Sequence, residues 1–156
     1  MSSEPVPQAG APDRSRQVAR ISGEYFFRVL AQLAQAHDGD ITRAIVYFAI
    51  ANANTSHIEQ KGLGAAYGSI DAAPPDEERR PVSVLSLSQM LGMPFETARR
   101  HANKLIADGK CQRVRGGIIV PQAHAQTDEM KQMALTNLQN VRRFVRELRR
   151  AGVEFD

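Results

Sequence analysis

Apolar residues recur at steps of three and four along much of this chain. Between Arg16 and Ala36 the stripe Val18, Ile21, Tyr25, Val29 and Leu33 predicts a first amphipathic helix. His37-Asp38-Gly39 interrupts it, and Asp40 follows as a side chain able to accept a bond from an open N–H of the next helix. That helix is expected over about Ile41 to Gln60. It holds the most apolar run of the chain, AIVYFAIA, from Ala44 to Ala51. A strand from Ile45 to Ile50 is the alternative, but the Ala-rich flanks and the length favour helix. Being apolar nearly all round, the segment should be buried on several sides, and in a small domain a partner subunit is one way to cover it.

The pattern collapses from Lys61 to Pro81, KGLGAAYGSIDAAPPDEERRP. So long a connection without periodicity reads as a flexible surface loop or as an ordered loop that meets DNA or a partner. Periodicity resumes at Leu85. A short helix around Leu87 to Leu91, capped by Ser86 or Ser88, meets Gly92, whose freedom suits a sharp turn. Pro94 fixes φ near a helix start. A longer helix then runs from Thr97 to Asp108, with Ala98, Ala102, Leu105 and Ile106 on its buried side and Gly109 ending it. Cys111 to Val114 and Ile118 to Pro121 are expected to pair as strands across a two-residue Gly116-Gly117 turn of the primed kind. That register sets Val114 opposite Ile119 and Arg113 opposite Val120. Val114 and Ile119 then face inward, with Arg113 and Arg115 on the other face. A last helix is expected over Thr127 to Ala151. Its stripe Ala134, Leu138, Val141, Val145, Leu148 has heptad-like steps, fitting equally the chain's own core or a dimer seam, with its arginines largely off that seam.

Composition narrows the picture. The 156 residues are about one domain's worth, and 42% hydrophobic content is ordinary for a globular protein. No apolar run approaches the ~20 residues of a membrane helix, so no membrane partner is expected. Residues 1–15 are rich in Pro, Ala, Ser and Gly, which predicts a disordered tail without the apolar block of a secretory signal. With one cysteine, Cys111, the expected setting is a reducing cytoplasm. A buried thiol acting as a small hydrophobe and a redox switch are the two roles open to it. His37, His57, His101 and His124 are scattered, without metal-ligand spacing, and no nucleophile elbow, phosphate loop or dinucleotide fingerprint occurs. Neither a cofactor nor an enzymatic activity is expected.

Charge is more telling by position than in total. The chain carries a net +3, but residues 94–121 hold six basic residues against two acidic ones, and the remainder 14 against 15. The surplus lies on the face of the second helix of the pair, opposite its apolar side, and on the hairpin. That face presents Phe95, Glu96, Thr97, Arg99, Arg100, Asn103 and Lys104, and the hairpin adds Arg113 and Arg115. Arginine suits guanine O6/N7 or phosphate, and asparagine suits adenine N6/N7 in the major groove. Thr97 fits a phosphate or a thymine methyl. Phe95 fits two roles, closing the core beneath the turn or meeting thymine methyls. His101, in the same helix, fits packing or a phosphate bond. The arginines from Arg142 to Arg150 read as a solvated face or as a second DNA contact.

LGMPFETARRHANKLIADGK resembles the winged helix-turn-helix transcriptional regulators of bacteria: a small helix, Leu-Gly, a Thr-containing recognition helix, a Leu near its end and a Gly before the wing. The resemblance covers roughly Val82 to Pro121. It departs at Pro94, where Ser or Thr often caps, and at Cys111, where an aliphatic residue usually starts the wing. It implies a mostly α fold with a small β-hairpin wing, with Glu96 to Lys104 in the major groove of double-stranded DNA and Arg113 and Arg115 on the wing. The helices before and after this unit are similar in layout to dimeric regulators of the MarR type, which implies a homodimer. The expected organisation is a tail (1–15), a helical core or dimerisation region (16–60), a loop (61–81), the winged unit (82–121) and a C-terminal helix (122–156). The expected function is sequence-specific DNA binding and transcriptional regulation. The alternative is a winged-helix protein-interaction module that binds no DNA. The sequence does not say whether a small-molecule effector enters between the helical layer and the winged unit.

Overall fold

The structure is a computed structural model that describes residues 12–155; most of the expected disordered tail lies outside them. The chain is mostly helical with one two-stranded antiparallel sheet. Helix α1 (Ser15–Gln35) and helix α2 (Ile41–Thr55) appear where periodicity predicts them. Asp38 and Gly39 take positive φ at the bend between them, and the Asp40 carboxylate accepts the Arg43 N–H at 2.9 Å. The expected long second helix is broken at Ser56, so that α3 (His57–Gln60) is a separate turn.

Helix α2 is the central post. Ala44, Val46, Tyr47, Ala49 and Ile50 are buried, and the last four meet Leu87, Ala102, Leu105, Cys111, Ile118 and Val120 in one core. Its burial is not all round, since Phe48 is 56% exposed. Helices α4 (Val84–Leu91) and α5 (Phe95–Ala107) pack on this post and on each other. Helix α4 starts one turn earlier than expected because Ser83, rather than Ser86 or Ser88, is its cap: Ser83 Oγ accepts the Ser86 N–H at 3.1 Å. Gly92 closes α4 in the left-handed region at φ +60°.

The hairpin departs from the expected register by two residues, because its turn is centred one residue earlier. Strands β1 (Gln112–Val114) and β2 (Gly117–Ile119) pair Gln112 with Ile119, Arg113 with Ile118 and Val114 with Gly117. The turn is therefore Arg115-Gly116. Only Gly116, at φ +95°, is left-handed there, the pattern of a type II turn rather than a primed one. The reason is tertiary. Val82 brackets Ile118 with two backbone bonds, N–H to carbonyl at 3.1 and 2.9 Å, making the segment before α4 a one-residue third strand. A Cβ on residue 117 would collide with the Val82 carbonyl, so Gly117 is needed for that close approach and is not available to the turn.

Asn54 locks this corner. Fully buried at the end of α2, it donates through Nδ2 to the carbonyls of Arg80 (2.7 Å) and Ile118 (3.1 Å) and accepts the Val120 N–H at 2.8 Å. The 61–81 segment contains a 3₁₀ turn at Asp76–Glu78 and is tied to the chain's own last helices. Helix α6 (Gln122–Ala125) donates from Gln122 to Ala73 and to Asp76, and Lys131 pairs with Asp71 at 2.7 Å.

Helix α7 (Asp128–Arg150), capped by Thr127, runs antiparallel to α1. Tyr25 stacks on Phe144 at 4.7 Å, Gln32 Nε2 donates to the Met133 carbonyl, and Arg14 donates to the Ala151 carbonyl. No residue of α1 is buried, and in α7 only Leu148 is. The face that meets α1 carries Met133, Asn140, Phe144 and Glu147. Of the expected heptad-like stripe, Leu148 alone is buried, and Leu138 is 44% exposed. Phe26 and Phe27 on α1 stand 58% and 70% exposed.

Candidate nucleic-acid interface

Helix α5 presents two faces because of its 3.6-residue period. Ala98, His101, Ala102 and Leu105 are buried, and Ile106 is half-buried. The small Ala98 and Ala102 let the helix sit close to its neighbours. His101 packs at the edge of this face, with Nδ1 3.9 Å from the Asp40 carboxylate. On the outward side Phe95, Glu96, Arg99, Arg100 and Lys104 are exposed, while Thr97 and Asn103 are half-exposed. The nominated residues of α5 therefore share one solvent-facing surface, and no side chain caps its N-terminus.

Not every cation on that surface is uncompensated. Glu96 accepts a forked pair of bonds from Arg99, one turn on, with Nε to Oε2 at 2.9 Å. The hydrogen bonds from Arg99 hold the Glu96 carboxyl below its usual range and raise the guanidinium in return. Lys104 bonds Asp108 at 2.8 Å. Arg100, Arg113 and Arg115 have no ion-pair partner among the described residues. Such exposed pairs are weak, because water and salt screen them, so a phosphate or a base edge competes readily for Arg99 and Lys104.

The register shift sets Arg113 opposite Ile118 rather than Val120, on the same face of the ribbon, and its guanidinium donates to Asn103 Oδ1 at 3.0 Å. The hairpin is thereby tied to α5. Arg115 sits in the turn itself, exposed at the tip.

Between the start of α4, the outward edge of α5 and the hairpin runs an open groove that the sequence did not indicate. Phe95, Arg99 and Asn103 form one wall, Arg113, Gly116 and Gly117 the other, with Ser83, Val84, Leu85 and Ile118 completing it. Phe95 is 48% exposed and Leu85 56%, so Phe95 does not close the core beneath the turn. The one available sequence signal was phase. Leu85 falls outside the Val84, Leu87, Ser88, Leu91 side on which α4 is buried or half-buried.

Away from this surface, Cys111 is buried against the α2 post, and loss of water pushes its thiol up to about 12. It is an inert wall of the core at neutral pH. No protein-family model, curated protein or solved structure matches this chain.

Proposed function

We propose that the chain is a winged helix-turn-helix protein that binds double-stranded DNA in a sequence-dependent way and regulates transcription, acting as a homodimer in the cytoplasm. The observation that carries this reading is the common surface of α5 and the hairpin: Arg99, Arg100, Asn103 and Lys104 beside Arg113 and Arg115, with the hairpin tied to the helix through Arg113 and Asn103. A rigid cationic helix with a cationic ribbon at its flank matches a major groove and the adjoining phosphates. Arg99, Arg100 and Asn103 are assigned to base edges, and Lys104, Arg113 and Arg115 to phosphates. Glu96 shields Arg99 until DNA binds and is itself able to accept from cytosine N4.

The homodimer is supported by the antiparallel α1/α7 pair. Two helices of more than twenty residues bury a single side chain of their own, and they leave Phe26, Phe27 and Leu138 in water. A second copy would cover these and present two α5 helices to one duplex.

Binding of selected genomic fragments, followed by fluorescence anisotropy against salt, tests the reading. If each protomer neutralises ~4 phosphates, the log–log slope for a dimer is about −7. Arg115→Ala is expected to weaken all duplexes alike and to flatten that slope, while Arg99→Ala relaxes sequence preference. No retention of any duplex at low salt, with a protein partner recovered instead, would leave the interaction module as the function. A monomeric solution mass would remove the paired geometry.

A further inference from the structure

We propose that Phe95 and Leu85 form a seat for the C5-methyl group of a pyrimidine, so that this surface selects its target partly by a methyl in the major groove. The inference rests on the DNA-binding reading and adds to it the kind of base that is read.

The core of this chain has room for apolar side chains, and it takes them: Leu87, Leu105 and Ile118 are wholly buried. Phe95 and Leu85 are left half in water although they are as hydrophobic as these. They stand together. Phe95 opens α5, Leu85 is the second residue of α4, and both line the groove, with Val84 and Ile118 beside them. Arg99 and Asn103 continue the Phe95 wall at four-residue steps, so the aromatic ring lies in line with the two side chains best suited to bases.

What such a ring can recognise is restricted by the chemistry of the groove. The major-groove edges of adenine, guanine and cytosine present polar donors and acceptors. Thymine adds one apolar group, the C5-methyl, and 5-methylcytosine carries the same group at the same carbon. An apolar residue pressed against an unmethylated edge would strip water from polar atoms without replacing their bonds. Against a methyl it removes two apolar surfaces from water at once. A phosphate offers Phe95 and Leu85 nothing, so their exposure beside Arg99 fits base contact better than backbone contact.

The test uses the full chain and the tightest duplex recovered from genomic selection. Thymines are replaced by uracil one position at a time, which deletes only the methyl, and cytosines by 5-methylcytosine in parallel. Burial of one methyl-sized group corresponds to about a fourfold change in affinity. A fourfold loss at one or two uracil positions identifies thymine as the source, and a comparable gain at a methylated cytosine identifies 5-methylcytosine. In Phe95→Ala, and to a smaller extent in Leu85→Ala, that discrimination collapses. Both side chains are exposed, and circular dichroism checks that the variants fold. The seat is overturned if duplexes bind but no methyl substitution changes affinity. It is equally overturned if Phe95→Ala discriminates as well as the parent. Absence of all duplex binding overturns the parent reading and the seat with it, a distinct outcome.

Discussion

Replacing Asn54 by alanine should be among the most damaging single changes to the body of this protein, and its cost can be worked from the contacts. The side chain has no exposed surface, and it serves three backbone groups on two separate pieces of chain, the segment before α4 and the end of β2. The Ile118 carbonyl keeps a second partner in the Val82 N–H when Asn54 is truncated. The Arg80 carbonyl and the Val120 N–H have no other bond among the described residues. The buried Val120 N–H left without a partner costs about 1–3 kcal/mol, the part-buried Arg80 carbonyl less, and the loss of the packed amide adds to this, so about 3 kcal/mol is expected. With a urea m-value of about 2 kcal/mol/M, the unfolding midpoint falls by roughly 1.5 M. The measurement is urea denaturation followed by circular dichroism, at one fixed protein concentration because dimerisation would shift the midpoint. A fall of under roughly 0.3 M would refute the claim that Asn54 locks α2 to β2 and to the segment before α4. The consequence reaches the candidate interface, because the lock holds the strand whose partner carries Arg113.

Three further outcomes are expected. Gly117→Ala places a Cβ against the Val82 carbonyl at a positive φ, so it should release the Val82–Ile118 bridge and lower the thermal midpoint by several degrees; amide exchange at Ile118 reports the release. His37 is buried beside Tyr47, and burial, reinforced by Lys110 and Arg43, lowers its pKa to about 4 from an ordinary 6.5. Because the unfolded chain takes up this proton first, the stabilisation is complete above pH ~6.5 and is lost as pH falls towards 4, by up to about 1.4 kcal/mol per pH unit. His37→Phe should flatten urea midpoints across that window, and an unchanged pH dependence would count against the assignment. Glu96→Gln removes the carboxylate that occupies Arg99 and should raise affinity for all duplexes while narrowing the gap between preferred and random sequences. An unchanged gap would mean that Arg99 is not screened in the way described.

The helical elements were largely legible because each carries its own signal. A stripe at three- and four-residue steps with Asp40 before it marks α2. Gly92 and Gly109 mark the ends of α4 and α5, since both adopt the positive φ that other residues resist. The outward set on α5 was legible for the same reason: once Ala98, Ala102 and Leu105 are inside, the helical period leaves Arg99, Arg100 and Lys104 outside. Phe95 and Leu85 were not legible as a pair. Nothing within α4 or α5 says that the start of one helix faces the start of the other across a groove. The interruption at Ser56 and the short α6 carried too little periodicity to be seen.

Local sequence thus determined which segments are helical, where they stop and which side of α5 meets water, because those outcomes depend on residues a few positions apart. The hairpin shows where that determination ends. Gly116-Gly117 marks a turn but not its register. The register follows from Val82 pairing with Ile118 and from Asn54 holding Val120, contacts that span 36 and 66 residues. A two-residue slip leaves each ribbon side chain on its face but changes which one it stands opposite. That slip, fixed where Val82 closely approaches Gly117, sets Arg113 opposite Ile118, and the bond from Arg113 to Asn103 joins helix and ribbon into one cationic surface.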